Sequence, residues 1–296
     1  MRLTTIAFVS ICIIQTFSNF AIVIQSNSQS VDLFVSIFYR TLCASIIMLF
    51  ANLLYKKDLK INKSEFKFSY IISICAMFFA PLCLYYASQK IDGGMMTICS
   101  STSVFLSLTI KAVLENKKPP LKASINGIVG IVGVFVLFYH KIYTINAINI
   151  NYIIGILLNI IAIALYALSG LLSAINYKKN NTRIEKLMLY TFLVGTIHTF
   201  LLCIITKKHF TFDFSTKYIL SFIFVVFFIT ILFVFLSIFL SIRIGQENTA
   251  YSNIICIILS SIISTIYFNW HWGFLEIIGI AIIIYSLIQR VPFFHK

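Results

Sequence analysis

Apolar runs about twenty residues long follow one another along this chain, and they restrict its fold more than any other feature. About 20 residues of α-helix cross a bilayer core about 30 Å thick, so each run has the length of one transmembrane helix. Lipid leaves each segment to satisfy its own backbone hydrogen bonds, which favours helices. We count ten runs, at 3–24, 33–54, 68–88, 93–113, 122–139, 152–175, 187–206, 218–241, 248–268 and 272–289.

The overall composition leads to the same conclusion. Charged residues make up 11% of the chain and hydrophobic residues 60%, with a mean hydropathy of +0.97. Soluble domains carry roughly 25% charged residues, so this chain has too little polar surface to cover a water-soluble core. The first run lacks a small-x-small cleavage site, so we interpret it as a helix rather than a cleaved signal peptide. The predicted fold class is an all-α polytopic membrane protein with ten transmembrane helices.

The Lys and Arg residues between the runs predict the orientation. One side of the bilayer receives 17 of the 23 basic residues, the other side receives five, and Arg40 lies inside a run. Because cytoplasmic loops are enriched in Lys and Arg, both termini are expected in the cytoplasm. The net charge of +14 is spread over these short clusters, so it indicates membrane orientation and not nucleic-acid binding.

A weak internal repeat relates the two halves of the chain. The segment YYASQKIDGG at 85–94 corresponds to IFLSIRIGQE at 238–247. Five helices per copy is an odd number, so the second copy would start on the opposite side of the membrane, as in inverted-repeat transporters. We expect two inverted five-helix repeats, at 1–141 and 150–296, with a substrate site between them near the bilayer midplane.

The first repeat carries a recognisable combination of residues. It has an arginine in the second run, a Tyr-Ala pair near the end of the third, small hydroxyl residues in the fourth, an acidic residue after it and glycines in the fifth. These residues are Arg40, Tyr86-Ala87, Ser100–Ser103, Glu115, Gly127, Gly130 and Gly133. The combination resembles the EamA domain of the drug/metabolite transporter superfamily. The chain departs from that pattern in lacking a proline in the fourth and ninth runs and a Glu after the ninth, where Phe268-Asn269 stands.

This resemblance implies a secondary transporter that moves a small polar metabolite, an amino acid or related zwitterion, across the bacterial cytoplasmic membrane by alternating access. An alternative is the uptake of a larger metabolite such as S-adenosylmethionine or a nucleotide-like compound. The Ile-, Asn- and Lys-rich composition favours that alternative, because it indicates an AT-rich genome of the kind found in host-restricted bacteria. The expected partners are the small-molecule substrate and the bilayer, with no cofactor and no nucleic acid; the oligomeric state is open, and a monomer would suffice.

Arg40 is the first candidate for substrate contact. A guanidinium inside a membrane span costs about 2.5–3.5 kcal/mol on insertion scales, so it needs a compensating role. It can face a central cavity and bind a substrate carboxylate or phosphate. It can also be a structural residue that bonds to backbone carbonyls or extends towards the interface.

Further polar residues inside the runs extend the candidate site. Gln15 and Asn19 share one helix face, as do Ser100 and Ser103. Small and hydroxyl residues also let helices approach closely, so each of them can instead serve helix packing. The full predicted substrate-binding set is Arg40, Gln15, Asn19, Tyr85, Tyr86, Ser100, Ser103, Tyr166, His198, Tyr251 and Asn253.

The acidic residues predict a cytoplasmic edge and no buried acid. Glu115 and Glu247 lie at the cytoplasmic ends of the fourth and ninth runs, where they can act as gate residues or as interfacial ion pairs. Since no carboxylate falls in the middle of a run, cation exchange through a central acid is not expected.

The remaining reactive residues do not predict chemistry. His198 has no second ligand at metal-binding spacing, and the seven cysteines lie in apolar runs without a Cys-x-x-Cys pair, so no metal site is predicted. An intramembrane enzyme would need paired carboxylates or a His–acid pair, and neither is visible. A scaffold or sensor would not require polar groups on so many helices.

Overall fold

The computed structural model describes residues 2–26, 30–55, 59–91, 93–118, 121–137, 139, 150–268 and 273–288. All the regular secondary structure in these residues is helical. The helices are α1 (Arg2–Ser26), α2 (Leu33–Leu54), α3 (Lys63–Ser88), α4 (Gly93–Ser100), α5 (Ser103–Leu114), α6 (Leu121–Leu137), α7 (Ile150–Asn180), α8 (Ile184–Ile205), α9 (Thr216–Ile244), α10 (Gln246–Thr249), α11 (Tyr251–Phe268) and α12 (Phe274–Ile288).

Within the described ranges, five helices are long and apolar enough to cross a membrane, namely α2, α3, α7, α8 and α9. Shorter apolar stretches of 10–17 residues occur in α1, α5, α6 and α12. The prediction of an all-helical, multi-pass membrane protein is therefore confirmed. The arrangement as ten spans in two inverted repeats stays a prediction.

The third helix begins earlier than its apolar run. It starts at Lys63 and not at 68, and the Glu65 carboxylate accepts a hydrogen bond from the backbone N–H of Asn62 at 2.9 Å. A Glu that returns to the residue before the helix satisfies one of the amide groups left open at a helix start. Because the first turn carries Lys63, Glu65 and Lys67, hydropathy alone places the start too late.

Two long helices contain π-helical segments, and two runs are interrupted. The π segments are Ile74–Phe79 in α3 and Val225–Phe233 in α9. In α9 the Thr230 hydroxyl donates to the carbonyl of Val225 at 2.9 Å, a bond across five residues that suits the wider turn. The fourth run is divided at 101–102 into α4 and α5, and the ninth at Ala250 into α10 and α11. These two interruptions lie in corresponding runs of the predicted repeats.

The helices pack mainly across the two halves of the chain. Helix α2 packs along α8, α6 along α12, α3 against α7, and α1 against α9 and α11. In the α6–α12 pair, a Cβ atom added to Gly279 would lie 2.8 Å from the carbonyl oxygen of Gly133. The glycines thus serve close helix packing, as their spacing predicts. The helices other than α6 and α12 surround an internal space.

Candidate functional site

A cavity of about 190 Å³ lies between the helices that meet across the two halves. One water molecule requires only about 10–15 Å³ of such space, so the cavity holds a small molecule or several waters. No described residue of α6 or α12 lines it. Six residues of the predicted substrate-binding set line the cavity: Gln15, Arg40, Ser100, Ser103, Tyr166 and Asn253.

Arg40 supplies the positive charge of this cavity. Its side chain is 3% exposed, and it lies seven residues into α2, about 10 Å from the helix start. The guanidinium carbon lies 6.0 Å from the centroid of the Tyr85 ring, and the group interacts with the hydroxyls of Tyr85 and Tyr166. Among the described residues no carboxylate pairs with Arg40, and its Nε has no hydrogen-bond partner. A buried, unpaired cation is therefore available to an anionic group.

One face of α7 forms a long wall of the cavity. Asn159, Tyr166, Gly170 and Ser173 line the cavity at intervals of seven, four and three residues, which place them on one side of a helix. Asn159 is 1% exposed and donates its amide hydrogen to the carbonyl of Met96 at 3.1 Å. The α7 helix thus carries both the tyrosine that interacts with Arg40 and a buried amide.

The interrupted fourth and ninth runs meet at a second wall. Asn253 donates from its amide nitrogen to the Ser103 hydroxyl at 2.6 Å, and that hydroxyl donates to the carbonyl of Ala250 at 3.4 Å. Ser107 lines the cavity one turn further along α5 and is fully buried. Discontinuous helices at the meeting of two halves are the positions where transporters place substrate and ion sites.

At the end of the bundle predicted to face outwards, hydrogen bonds join α1 to the C-terminal end of α3. The hydroxyl of Tyr85 donates to Gln25 Oε1, and Gln89 Nε2 donates to the carbonyl of Ser26 at 3.3 Å. Tyr85 is fully buried and lies outside the cavity lining, beside Arg40. In this structure Tyr85 thus contacts the guanidinium and α1, and not the cavity.

At the opposite end, an ion pair joins the two halves. Lys111 Nζ on α5 lies 2.5 Å from the carboxylate of Glu247 on α10. The adjacent Gln246 lines the cavity, accepts a hydrogen bond from the Ser241 hydroxyl, and packs onto Gly170, where a Cβ atom would overlap it. Glu115 is exposed at the C-terminal end of α5. Glu247, rather than Glu115, thus has the contacts expected at a cytoplasmic edge.

Other predicted site residues lie away from the cavity. His198 interacts with the Tyr70 hydroxyl at 3.3 Å and with the carbonyl of Val194 at 2.7 Å. Tyr86 is 40% exposed and packs edge-on against Phe34. Tyr251 is buried outside the cavity lining. The side chain of Asn19 lies outside the described residues. Substrate contact by these four residues stays a prediction.

Asn159, Thr191 and Gln246 are among the polar cavity residues that the predicted set lacks. Asn159 had a usable signal, since an amide inside an apolar helix is costly and lies on the same face as Tyr166. Thr191 and Gln246 had none, because a threonine is common in membrane helices and Gln246 stands at a run boundary. Within the described ranges, no group of three or more His, Cys, Asp or Glu side chains could hold a metal ion.

The structure defines a multi-pass helical membrane protein with a partly polar internal cavity. Comparison with known sequences narrows that class: residues 4–139 match the EamA-like transporter family. The predicted resemblance is thereby confirmed over the first half of the chain, and the match implies a membrane transporter of the drug/metabolite transporter superfamily. No curated protein sequence matches the chain. One crystal structure of a protein, 13% identical in sequence, covers 98% of this chain and 96% of its own with a TM-score of 0.71, so the fold is shared over nearly the full length.

Proposed function

We propose that this protein is a secondary transporter that moves a small polar metabolite, an amino acid or related zwitterion, by alternating access. The observation that carries the proposal is Arg40, a 3%-exposed guanidinium at a cavity wall without an acidic partner among the described residues. Buried charges in membrane helices are costly and mark substrate or ion pathways. A carboxylate on the substrate would pair with the guanidinium through charge-assisted hydrogen bonds.

The volume of the cavity favours a small substrate. Sites for drug-sized ligands occupy about 300–1,000 Å³, whereas this cavity has about 190 Å³. An amino acid suits that space better than S-adenosylmethionine or a nucleotide-like compound. The lining combines Arg40 and Tyr166 with apolar residues such as Met77 and Phe233, which suits a molecule with a charged end and an apolar end.

The packing supports an alternating-access mechanism based on two repeats. The α2–α8 and α6–α12 pairs each join corresponding helices of the two predicted repeats. The α3–α7 contact has its counterpart in the contact between α9 and α1. Both π segments and both helix interruptions also occur in corresponding runs. With such a symmetry, the two repeats would exchange their conformations around a fixed site. The site would then open to one side of the membrane and afterwards to the other.

The same proposal includes the setting of the protein. The basic loops favour the bacterial cytoplasmic membrane with both termini in the cytoplasm. In that orientation the Tyr85–Gln25 bond lies at the outer end of the bundle, and Lys111 with Glu247 marks the inner end. The proposed partners are the substrate and the bilayer.

Flux through proteoliposomes tests the proposal. Purified protein should exchange a labelled amino acid across the vesicle membrane, and Arg40→Gln should lower kcat/KM at least about tenfold, because a hydrogen bond to a charged group contributes about 1.5–3 kcal/mol. Arg40→Lys keeps the charge but loses the planar fork, so it should restore only part of the activity. Arg243→Gln is the matched control, since Arg243 packs on Phe239 outside the cavity lining. Normal kinetics in Arg40→Gln, or absence of flux under every imposed gradient, would contradict the proposal.

A further inference from the structure

A second part of the cavity wall carries polar atoms that can accept hydrogen bonds and have no partner. Asn159 Oδ1, Asn253 Oδ1 and Ser107 Oγ are each buried and have no hydrogen-bond partner among the described residues. All three residues line the cavity that Arg40 enters. A buried polar atom without a partner is costly, so each of these atoms is expected to find a partner in the working protein.

The hydrogen bonds already formed fix which half of each amide remains open. Asn159 meets the Met96 carbonyl, which only accepts, so the amide nitrogen must face it and the oxygen must face away. The Ser103 hydroxyl gives its single hydrogen to the carbonyl of Ala250, so it must accept from the nitrogen of Asn253. In both residues the amide nitrogen is bonded to the protein and the carbonyl oxygen has no partner. These two open amide oxygens can only accept, and the Ser107 hydroxyl can accept as well as donate.

These acceptors line the same cavity as the Arg40 guanidinium. Asn159 is seven residues before Tyr166 on one face of α7, about 10 Å along the helix, and Tyr166 interacts with Arg40. Among the described residues, no acidic side chain lines the cavity. A cationic group on this wall would therefore be held by neutral oxygens.

We infer that Asn159, Asn253 and Ser107 form a subsite for the ammonium group of the substrate, while Arg40 takes its carboxylate. An ammonium group has three donors and no acceptor, which matches a wall whose open atoms accept. This inference rests on the proposed function and extends it. The substrate is thereby held by both of its charged groups, and compounds with only one of these groups bind more weakly.

Thermal-shift titrations of the purified full-length protein test the inference. The common amino acids are screened first, and the strongest stabiliser is then compared with its des-amino acid and with its decarboxylated amine. Wild-type protein should bind the amino acid about tenfold or more tightly than the des-amino acid, the size expected for a hydrogen bond to a charged group. Asn159→Leu should reduce that preference to near unity and leave the affinity for the des-amino acid unchanged. Arg40→Gln should instead abolish the preference over the amine.

Two further variants and one salt titration complete the test. Asn52→Leu is the matched control, because Asn52 is 2% exposed and donates to the carbonyl of Met48 at 2.7 Å outside the cavity lining. Asn253→Ala serves if Asn159→Leu does not fold, and it should reduce the same preference. Titration with NaCl against choline chloride distinguishes a metal ion: stabilisation by Na⁺ that Asn159→Leu removes would overturn the assignment to an ammonium group.

The failure of this inference is distinguishable from failure of the proposed function. Equal binding of the amino acid and its des-amino acid by wild-type protein overturns the ammonium subsite, because the acceptors then hold only water, and leaves the role of Arg40 intact. An equal loss of affinity for both compounds in Asn159→Leu also overturns it, since that pattern reflects packing. Binding of neither compound, together with absence of flux, overturns the ammonium subsite and the proposed function together.

Discussion

A methyl group at Gly279 should force α12 away from α6. A Cβ atom added there would lie 2.5 Å from the backbone nitrogen of Leu137 and 2.8 Å from the carbonyl oxygen of Gly133. Contacts between nonbonded carbon atoms are normally about 3.5–4.0 Å, and backbone atoms cannot rotate away as a side-chain end can. Gly279→Ala therefore moves one helix by a large part of an ångström.

The magnitude follows from comparison with Gly127, which lies on α6 and faces α5. At Gly127 the nearest atom to an added Cβ is Val104 Cγ1 at 3.6 Å, an ordinary contact. Both substitutions gain the preference of helices for alanine over glycine, about 0.8–1.0 kcal/mol, so this contribution cancels between them. Overpacking costs about 1–3 kcal/mol, which is the expected difference in unfolding free energy between the two variants.

Equilibrium unfolding of each purified variant in detergent measures this difference. Gly127→Ala should be as stable as the wild type or more stable, and Gly279→Ala should be less stable. Substrate affinity should be unchanged in both, because no described residue of α6 or α12 lines the cavity. Equal stability of the two variants would show that the α6–α12 contact is looser than the distances at Gly279 indicate.

Two further predictions concern charged contacts. Glu247→Lys or Lys111→Glu should change the transport rate. The double exchange should bring the rate about twofold to fivefold closer to the wild-type rate than two independent changes would, as expected for a partly exposed ion pair. If the effects of the two single exchanges simply add in the double variant, the two residues are not coupled. Glu65→Gln should lower the unfolding free energy by about 1–3 kcal/mol in thermal melts, because this buried carboxylate accepts from Lys186 and two other donors. Lys208→Gln is its control, and an equal loss of unfolding free energy in that variant would refute the argument. Lys208 is exposed, and its hydrogen bond to an aspartate raises its pKa. Any contribution of that pair to stability therefore persists below about pH 10.4 and fades only above it.

The sequence predicted the helices well because membrane spans can be recognised by their length and apolar composition. Run 33–54 coincides with α2, and the start of α3 was missed only because Lys63 and Glu65 are charged. The π segments and the interruption at Ala250 were not predicted. Pro81 lies two residues after the first π segment and is a signal for it, whereas no proline marks the other two features. They depend on tertiary contacts, such as the bond from Ser103 to the carbonyl of Ala250.

The candidate site was predictable in part. Arg40 and Ser103 were identified because polar groups in apolar helices are costly, and both line the cavity. His198 is as polar, yet its partners are Tyr70 and the backbone of its own helix. Composition shows that such a residue needs a partner, whereas the packing of neighbouring helices decides which partner it finds. Asn159 was missed although its amide, inside an apolar run, gave a usable signal.

The π segment Ile74–Phe79 has a consequence for how the chain tolerates changes in length. A π turn holds one more residue than an α turn, and each residue of a helix advances about 100° around the axis. Removing one residue from this segment would leave an unbroken α-helix in which Tyr85 keeps its position beside Arg40, whereas a deletion in an α-helical part between the two ends would turn Tyr85 by about 100°. Insertions and deletions are usually accommodated in loops. Here a segment inside a helix would accommodate the loss of one residue and keep the same side chain beside the buried charge.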